Sequence, residues 1–170
     1  MAKVNVGVNG YGVIGKRVAD AVAFQRDMKL VGISDVVADY RTQVAMKKGY
    51  PIYASVKDAA SDMRKGGIEV VGTLDDLLKK ADVIVDCTPA GIGAKNKAIY
   101  QKSGVKAIFQ GGEKHDLVEA SFVAQCNYEE ALGKDFIRVV SCNTTGLCRV
   151  LGSIDQELSL IHISEPTRPY

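Results

Sequence analysis

The sequence predicts an α/β fold, a Rossmann-like, doubly wound, mostly parallel sheet. Three observations carry that expectation. Short apolar runs alternate with segments of helical period along most of the chain, the pattern of a parallel sheet covered on both faces. A glycine-rich turn, "NGYGVIG", stands between the first such run and the first such helix. An acidic residue, Asp35, closes the second run.

Taken in order, Lys3 to Val8 alternates toward the glycine turn and reads as a strand. Ile14, Val18 and Val22, with Ala19 and Ala23, recur at spacings of four and share one helical face. "MKLVGIS" is the next strand and ends at Asp35, completing one βαβ unit in residues 3–35. "YPIYAS" reads as a short strand, "VKDAASDMRK" as a helix and "GGIEVVG" as a turn and strand. Thr73 opens a helix, with Asp76 at the capping-box spacing and Leu74, Leu77, Leu78 and Ala81 on one face. "DVIVDCTP" is a buried-type strand stopped by Pro89, and "AKNKAIYQKSG" a helix ended by Gly104. "VKAIFQGG" is a strand, "LVEASFVAQCNYEEAL" a helix and "DFIRVVSCN" a strand. "TTGLCRVLGSI" starts a last helix, with Leu147, Leu151 and Ile154 expected inward.

The composition is that of an ordinary globular chain: 46% hydrophobic and 25% charged residues in 170, with a net charge of +2. Basic residues are scattered, which argues against nucleic acid or an anionic membrane as partner. No stretch approaches the ~20 apolar residues of a membrane span, and the N-terminus does not read as a signal peptide. Cysteines at 87, 126, 142 and 148 form neither a disulfide ladder nor a CxxC pair. A reduced, cytoplasmic protein without a metal site is expected.

The turn spells G-x-G-x-x-G at Gly10, Gly12 and Gly15, after a strand and before a helix, the context that makes the motif specific. Gly10 permits the tight turn, Gly12 leaves room for a pyrophosphate, and Gly15 lets the helix lie close to the strand. Free N–H groups at the helix start bind phosphate oxygens. Asp35 follows 20 residues after Gly15, placed to accept from an adenosine ribose hydroxyl and to repel a 2′-phosphate. The cofactor is therefore NAD or NADP, with NAD favoured. The competing readings are a structural tight turn and a solvated aspartate.

"VVSCNTTGLC" places Cys142 at the carboxyl end of a strand and before a helix. Ligands bind at that edge of an open α/β sheet, and a helix N-terminus favours the nucleophilic thiolate. Asn143 is placed to donate to a developing oxyanion. Ser141, Thr144 and Thr145 bring hydroxyls suited to a phosphate or to capping. Cys87, Cys126 and Cys148 read as packing. A nucleotide site and a nucleophilic thiol together suggest oxidation of an aldehyde: thiol addition, loss of hydride to nicotinamide, and cleavage of the resulting thioester by phosphate or water.

"VNGYGVIGKRVADAV", "TPAGIGAKNKAIY", "AIFQGGEK" and "CNYEEALGK" with "IRVVSCNTTGL" resemble the archaeal-type, phosphorylating glyceraldehyde-3-phosphate dehydrogenases over about residues 3–156. The resemblance implies oxidation of glyceraldehyde 3-phosphate to 1,3-bisphosphoglycerate, with Cys142 as nucleophile and Ser141 and Asn143 touching the glyceraldehyde phosphate. It further implies cofactor contacts from Val13, Ile14 and Gly112, inorganic phosphate as second substrate, and a homotetramer for the full-length enzyme. That family uses both NAD and NADP, often with a basic residue after the second strand, and Asp35 departs from this. Its catalytic base is a histidine from a later domain; neither His115 nor His162 matches, and the family's phosphate-binding arginines are absent too.

The expected organisation is a dinucleotide-binding domain over 1–142, the start of a catalytic domain over 143–157, and a non-native tail over 158–170. That tail, within "LSLIHISEPTRPY", resembles a translated sequencing adapter; a natural tail is the alternative. The catalytic domain is expected to be largely absent and the fragment inactive. Two other readings stay open: a semialdehyde dehydrogenase, and a dinucleotide-binding module without catalysis.

Overall fold

A computed structural model describes residues 2–110 and 112–158 of the chain. Eight strands form one sheet in the order β4-β3-β2-β1-β5-β6-β8-β7, and every pairing is parallel. The strands are β1 (Val4–Asn9), β2 (Met28–Asp35), β3 (Ile52–Ala54), β4 (Val70–Thr73), β5 (Val83–Asp86), β6 (Lys106–Phe109), β7 (Ala120–Phe122) and β8 (Phe136–Val139). Between them run α1 (Val13–Phe24), α2 (Tyr40–Lys47), α3 (Ala59–Lys65), α4 (Leu74–Leu78), α5 (Ile92–Ser103) and α6 (Ala124–Ala131), and α7 (Cys142–Leu158) follows β8.

Strand β1 shows why both faces are covered. Successive strand side chains point to opposite faces. Val6 and Val8 join clusters that include Ala19 and Val22 of α1. A Cβ on Gly7 would meet Ile84 at 2.7 Å and Leu77 of α4 at 3.3 Å, on the other face. The second face holds Leu74, Leu77, Leu78 and Ala81, the predicted face of α4, with Tyr100 of α5 and Phe109. Asp76 accepts from the Thr73 N–H at 3.1 Å and its hydroxyl at 3.0 Å, so the predicted start of α4 is bonded as well as patterned. Gly104 closes α5 at φ +69°. Among the described residues no helix is long and apolar enough to cross a membrane.

The structure corrects the sequence reading in several places. The expected helix over 117–132 is instead a 3-10 turn (His115–Leu117), strand β7 and the short α6. Ala120, Ser121 and Phe122 pair with β8, a non-local gain that periodicity cannot register. Within α6 Asn127 leaves helical angles (φ −144°); its side chain accepts from the Val123 N–H and donates to the Ser121 carbonyl, competing with the helix ladder. The last helix begins at Cys142 rather than at Thr144. Leu147 and Leu151 point outward, 65% and 49% exposed, because no other described element covers that face. The tail at 159–170, with His162, lies outside the described residues.

Candidate functional site

Strand order reverses between β1 and β5: from β1 the chain builds outward to β2, β3 and β4, and from β5 to β6 on the other side. Loops leaving two such neighbours diverge and open a crevice at their carboxyl ends. Here the crevice is a cleft of about 680 Å³. Its walls come from Asn9 and the glycine turn after β1, Asp35 to Val37 after β2, Ser55 and Val56 after β3, and Cys87 to Pro89 after β5. Arg41 of α2, Ile92 and Asn96 of α5 and Gln110 after β6 complete it.

The glycine turn is built as its spacing requires. Gly10 has φ +90°, and a Cβ there would lie 2.9 Å from the Cys87 carbonyl carbon and the Thr88 nitrogen. Only glycine combines that angle with that approach. A Cβ on Gly15 would fall 1.9 Å from the Gly10 oxygen, so α1 sits directly against the turn. Gly12 leaves its surroundings open, the nearest atom lying 3.7 Å from a Cβ position. No side chain caps α1, so its first-turn N–H groups remain for an anion. Val13 and Ile14, on that turn, are 61% and 47% exposed and line the cleft. Ile14 therefore leaves the inward face assigned to it by period.

Asp35 is tied to the turn. Its Oδ2 accepts from the Tyr11 N–H at 2.7 Å and its Oδ1 from the Val36 N–H at 2.7 Å. A carboxylate has about four acceptor positions, so each oxygen keeps capacity for a ribose hydroxyl. Val36, Val37 and Val56 give the same end of the cleft an apolar wall. Uncapped amides, an open glycine, a fixed acceptor and an apolar slot fit a dinucleotide.

Beneath the cleft runs a buried polar network that the sequence did not announce. The Asn9 Oδ1 accepts from Ser34 at 2.8 Å and Ser55 at 2.9 Å, and its Nδ2 donates to the Tyr100 hydroxyl at 2.8 Å. Tyr100 donates to Asp86 at 2.6 Å, and Asp86 also accepts from Asn96 at 2.8 Å and from the Thr88 N–H at 2.9 Å. Burial, and then the Asp86 charge, hold the Tyr100 phenol protonated far above its ordinary range. The network joins the ends of β1, β2, β3 and β5 to α5. Its one sequence signal was polar Asn9 and Asp86 closing apolar strands.

The amino end of α5 is already filled. Glu113, 6% exposed, accepts through Oε1 from the Gly91 and Gly93 N–H groups at 3.0 and 3.1 Å. Arg138 in turn donates to the Glu113 carbonyl. "FQGGEK" marked this loop in the sequence without revealing that its glutamate caps a helix 20 residues earlier.

Cys142 lies at the carboxyl edge of the sheet, after β8, as the first residue of α7, and is exposed. Ser141 caps that helix: its Oγ accepts from the Thr144 N–H at 3.2 Å and meets the Thr144 hydroxyl at 2.9 Å. The Cys142 thiol reaches the Asn143 Oδ1 at 3.9 Å. Of the predicted site residues, Gly10, Gly12, Val13, Ile14 and Asp35 come together in the cleft. Gly15 packs behind them. Ser141, Cys142, Asn143, Thr144 and Gly112 lie outside its lining, and Gln110 lines it where Gly112 was expected. His115 bonds through Nδ1 to the Ser121 hydroxyl at 2.8 Å. Cys87, read as packing, is half-buried and lines the cleft. Sequence reasoning also missed Arg41, six residues past Asp35.

A family profile described as dihydrodipicolinate reductase, N-terminus, matches residues 4–121. Glyceraldehyde-3-phosphate dehydrogenase of Thermococcus kodakarensis is 56% identical over 160 residues, 94% of this chain and 48% of that protein. The enzyme of the same name from Methanococcoides burtonii is likewise 56% identical, over the same shares. The chain thus spans about half the length of the curated relatives it matches. Among solved structures, aspartate semialdehyde dehydrogenase with NADP from Candida albicans superposes with a TM-score of 0.63 at 14% identity, over 93% of this chain and 48% of that one. This last likeness is one of fold.

Proposed function

The chain belongs to the family defined by the N-terminus of dihydrodipicolinate reductase, and we propose that it is the cofactor-binding half of an archaeal-type, phosphorylating glyceraldehyde-3-phosphate dehydrogenase. The carrying observation is the cleft: an open helix amino end and a fixed carboxylate at the switch point of a parallel sheet, in a chain whose curated relatives bear that enzyme's name. The first-turn amides of α1 hold the pyrophosphate, Asp35 orients the adenosine ribose, and Val36, Val37 and Val56 exclude water from the base. Asp35 favours NAD over NADP by repelling a 2′-phosphate.

The bound nicotinamide supplies a hydride acceptor. The Cys142 thiolate adds to the aldehyde carbon, forming a C–S bond and a thiohemiacetal. Loss of hydride leaves a thioester. Inorganic phosphate attacks the acyl carbon and the C–S bond breaks, returning the thiolate and releasing 1,3-bisphosphoglycerate. Ser141, Asn143 and Thr144 contact the substrate. We place the end of the cofactor-binding unit at Cys142, with 143–157 beginning the catalytic unit. The proton acceptor and the phosphate-binding arginines belong to the half of the relatives that this chain does not match. The full-length enzyme is read as a cytoplasmic homotetramer.

Joining residues 1–157 to the unmatched carboxyl half of the Thermococcus kodakarensis relative tests this reading. The chimera is expected to form NADH from glyceraldehyde 3-phosphate with arsenate, and Cys142→Ser to abolish the activity by several orders of magnitude. The 170-residue chain alone is expected to show negligible turnover. An active Cys142→Ser chimera would remove the nucleophile assignment, and normal turnover by the chain alone would defeat the half-enzyme reading.

A further inference from the structure

Among the described residues that line the cleft, Asp35 and Arg41 carry charge, and both stand at its β2 end. The adenosine ribose goes to that end and the pyrophosphate to the start of α1. The nicotinamide half therefore extends the other way, over the uncharged wall of Thr88, Pro89, Ile92, Asn96 and Gln110. Behind that wall lies the Asp86 carboxylate, 1% exposed. Its Oδ1 accepts from the Thr88 N–H at 2.9 Å and the Thr88 hydroxyl at 2.5 Å. Its Oδ2 accepts from the Asn96 Nδ2 at 2.8 Å and the Tyr100 hydroxyl at 2.6 Å. Four donors on two oxygens fill the acceptor positions of an ionised carboxylate. Among the described residues no lysine, arginine or histidine pairs with it. A buried charge that has hydrogen bonds but no counter-charge is costly to keep. Thr88 and Asn96 are both wall residues, so a single side chain separates this charge from the cleft. The amino end of α5, whose dipole would oppose a cation there, is occupied by Glu113.

We propose that Asp86 is a specificity-determining residue for the redox form of the cofactor: its buried charge favours the cationic, oxidised nicotinamide over the neutral, reduced ring. The inference deepens the cofactor reading above and rests on it. The two forms differ by one hydride on the ring, hence by one positive charge, and are otherwise the same. Contacts to the riboses or the pyrophosphate hold both equally. A fixed negative charge behind the nicotinamide wall tells them apart, and its buried position keeps water and salt from screening it fully. The pyridinium is then the counter-charge that Asp86 lacks. The oxidised cofactor is drawn in, and the hold on it loosens once hydride has been transferred, which suits the oxidation of an aldehyde.

Titrating NAD+, NADH and ADP-ribose into the full chain, followed by NMR shifts of the glycine-turn amides, tests this. Asp86→Asn is expected to lower the ratio of NAD+ to NADH affinity about fivefold. ADP-ribose lacks the nicotinamide, so a general loss of fit weakens all three ligands alike and leaves the ratio unmoved. Tyr100→Phe removes one bond of the network and keeps the charge; it is expected to leave the ratio where it is or to raise it. An unchanged ratio in Asp86→Asn, or an equal fall in Tyr100→Phe, overturns the proposal and leaves the cleft reading intact. If Asp86→Asn does not fold by circular dichroism, Asp86→Ser takes its place. If neither folds, the unmodified chain decides: NAD+ must bind more tightly than NADH, and equal or weaker binding overturns the proposal. Failure of ADP-ribose to shift the glycine-turn amides of the unmodified chain defeats the dinucleotide cleft itself, and this proposal with it.

Discussion

Cys87 and Cys142 are thiols at the same edge of one sheet, in opposite surroundings. Burial, and then the charge of Asp86, push the Cys87 thiol up to about 12. Cys142 is exposed beside polar neighbours. Iodoacetamide at pH 8 is therefore expected to label Cys142 first and Cys87 last, read by peptide mass spectrometry. First labelling at Cys126 or Cys148 would count against an activated Cys142. Because the folded pKa of Cys87 is raised, its contribution to stability is whole below about pH 9 and drains away between about 9 and 12, where only the unfolded chain ionises. Labelling of Cys87 in that window reports opening of the fold. What the sequence revealed at single positions was local: Gly10, Gly12, Gly15 and Asp35 are recognised by their spacing and by the strands and helix that flank them. Arg41 and Glu113 were missed because each acts on a partner that only the folded chain brings near.

Helix α5 shows the same divide one level up. Its body from Ala94 onward and its end at Gly104 were legible in the sequence. Its beginning was not, because the cap is Glu113, supplied from beyond β6. Glu113→Ala is expected to cost about 1–2 kcal/mol, lowering the thermal midpoint by about 3–6 °C for a chain of this size. Glu113→Gln, which keeps an oxygen acceptor, is expected to cost less. Equal midpoints by circular dichroism for all three proteins would show that the cap is idle. β7 was hidden for a related reason: three residues carry too little pattern to outweigh a helical reading, and only pairing with β8 selects the strand. The inward face assigned to α7 is not the one that packs: Cys148 and Gly152 meet Cys126 of α6, while Leu147 and Leu151 face away from any other described element.

That uncovered face matters for the molecule as a body. Leu147, Val150 and Leu151 of α7 lie 65%, 59% and 49% exposed, with Tyr128 and Leu132 from the neighbouring α6 segment at 55% and 53%. An apolar surface of this kind draws partners. The isolated chain is expected to associate with rising concentration in sedimentation velocity runs, and Leu147→Glu with Val150→Glu to suppress it. A single monomeric species at every concentration, before and after substitution, would contradict that expectation.

The strand order has a consequence for how the chain assembles. β1 precedes the other seven strands in sequence, yet it sits in the middle, between β2 and β5. Its second neighbour emerges only after the glycine turn, three further strands and four helices have been synthesised. Remove those six residues and the sheet parts into a three-strand and a four-strand piece. The first strand in chain order is thus the keystone of the sheet, and any cleavage or pull that strips it away acts at the centre of the architecture.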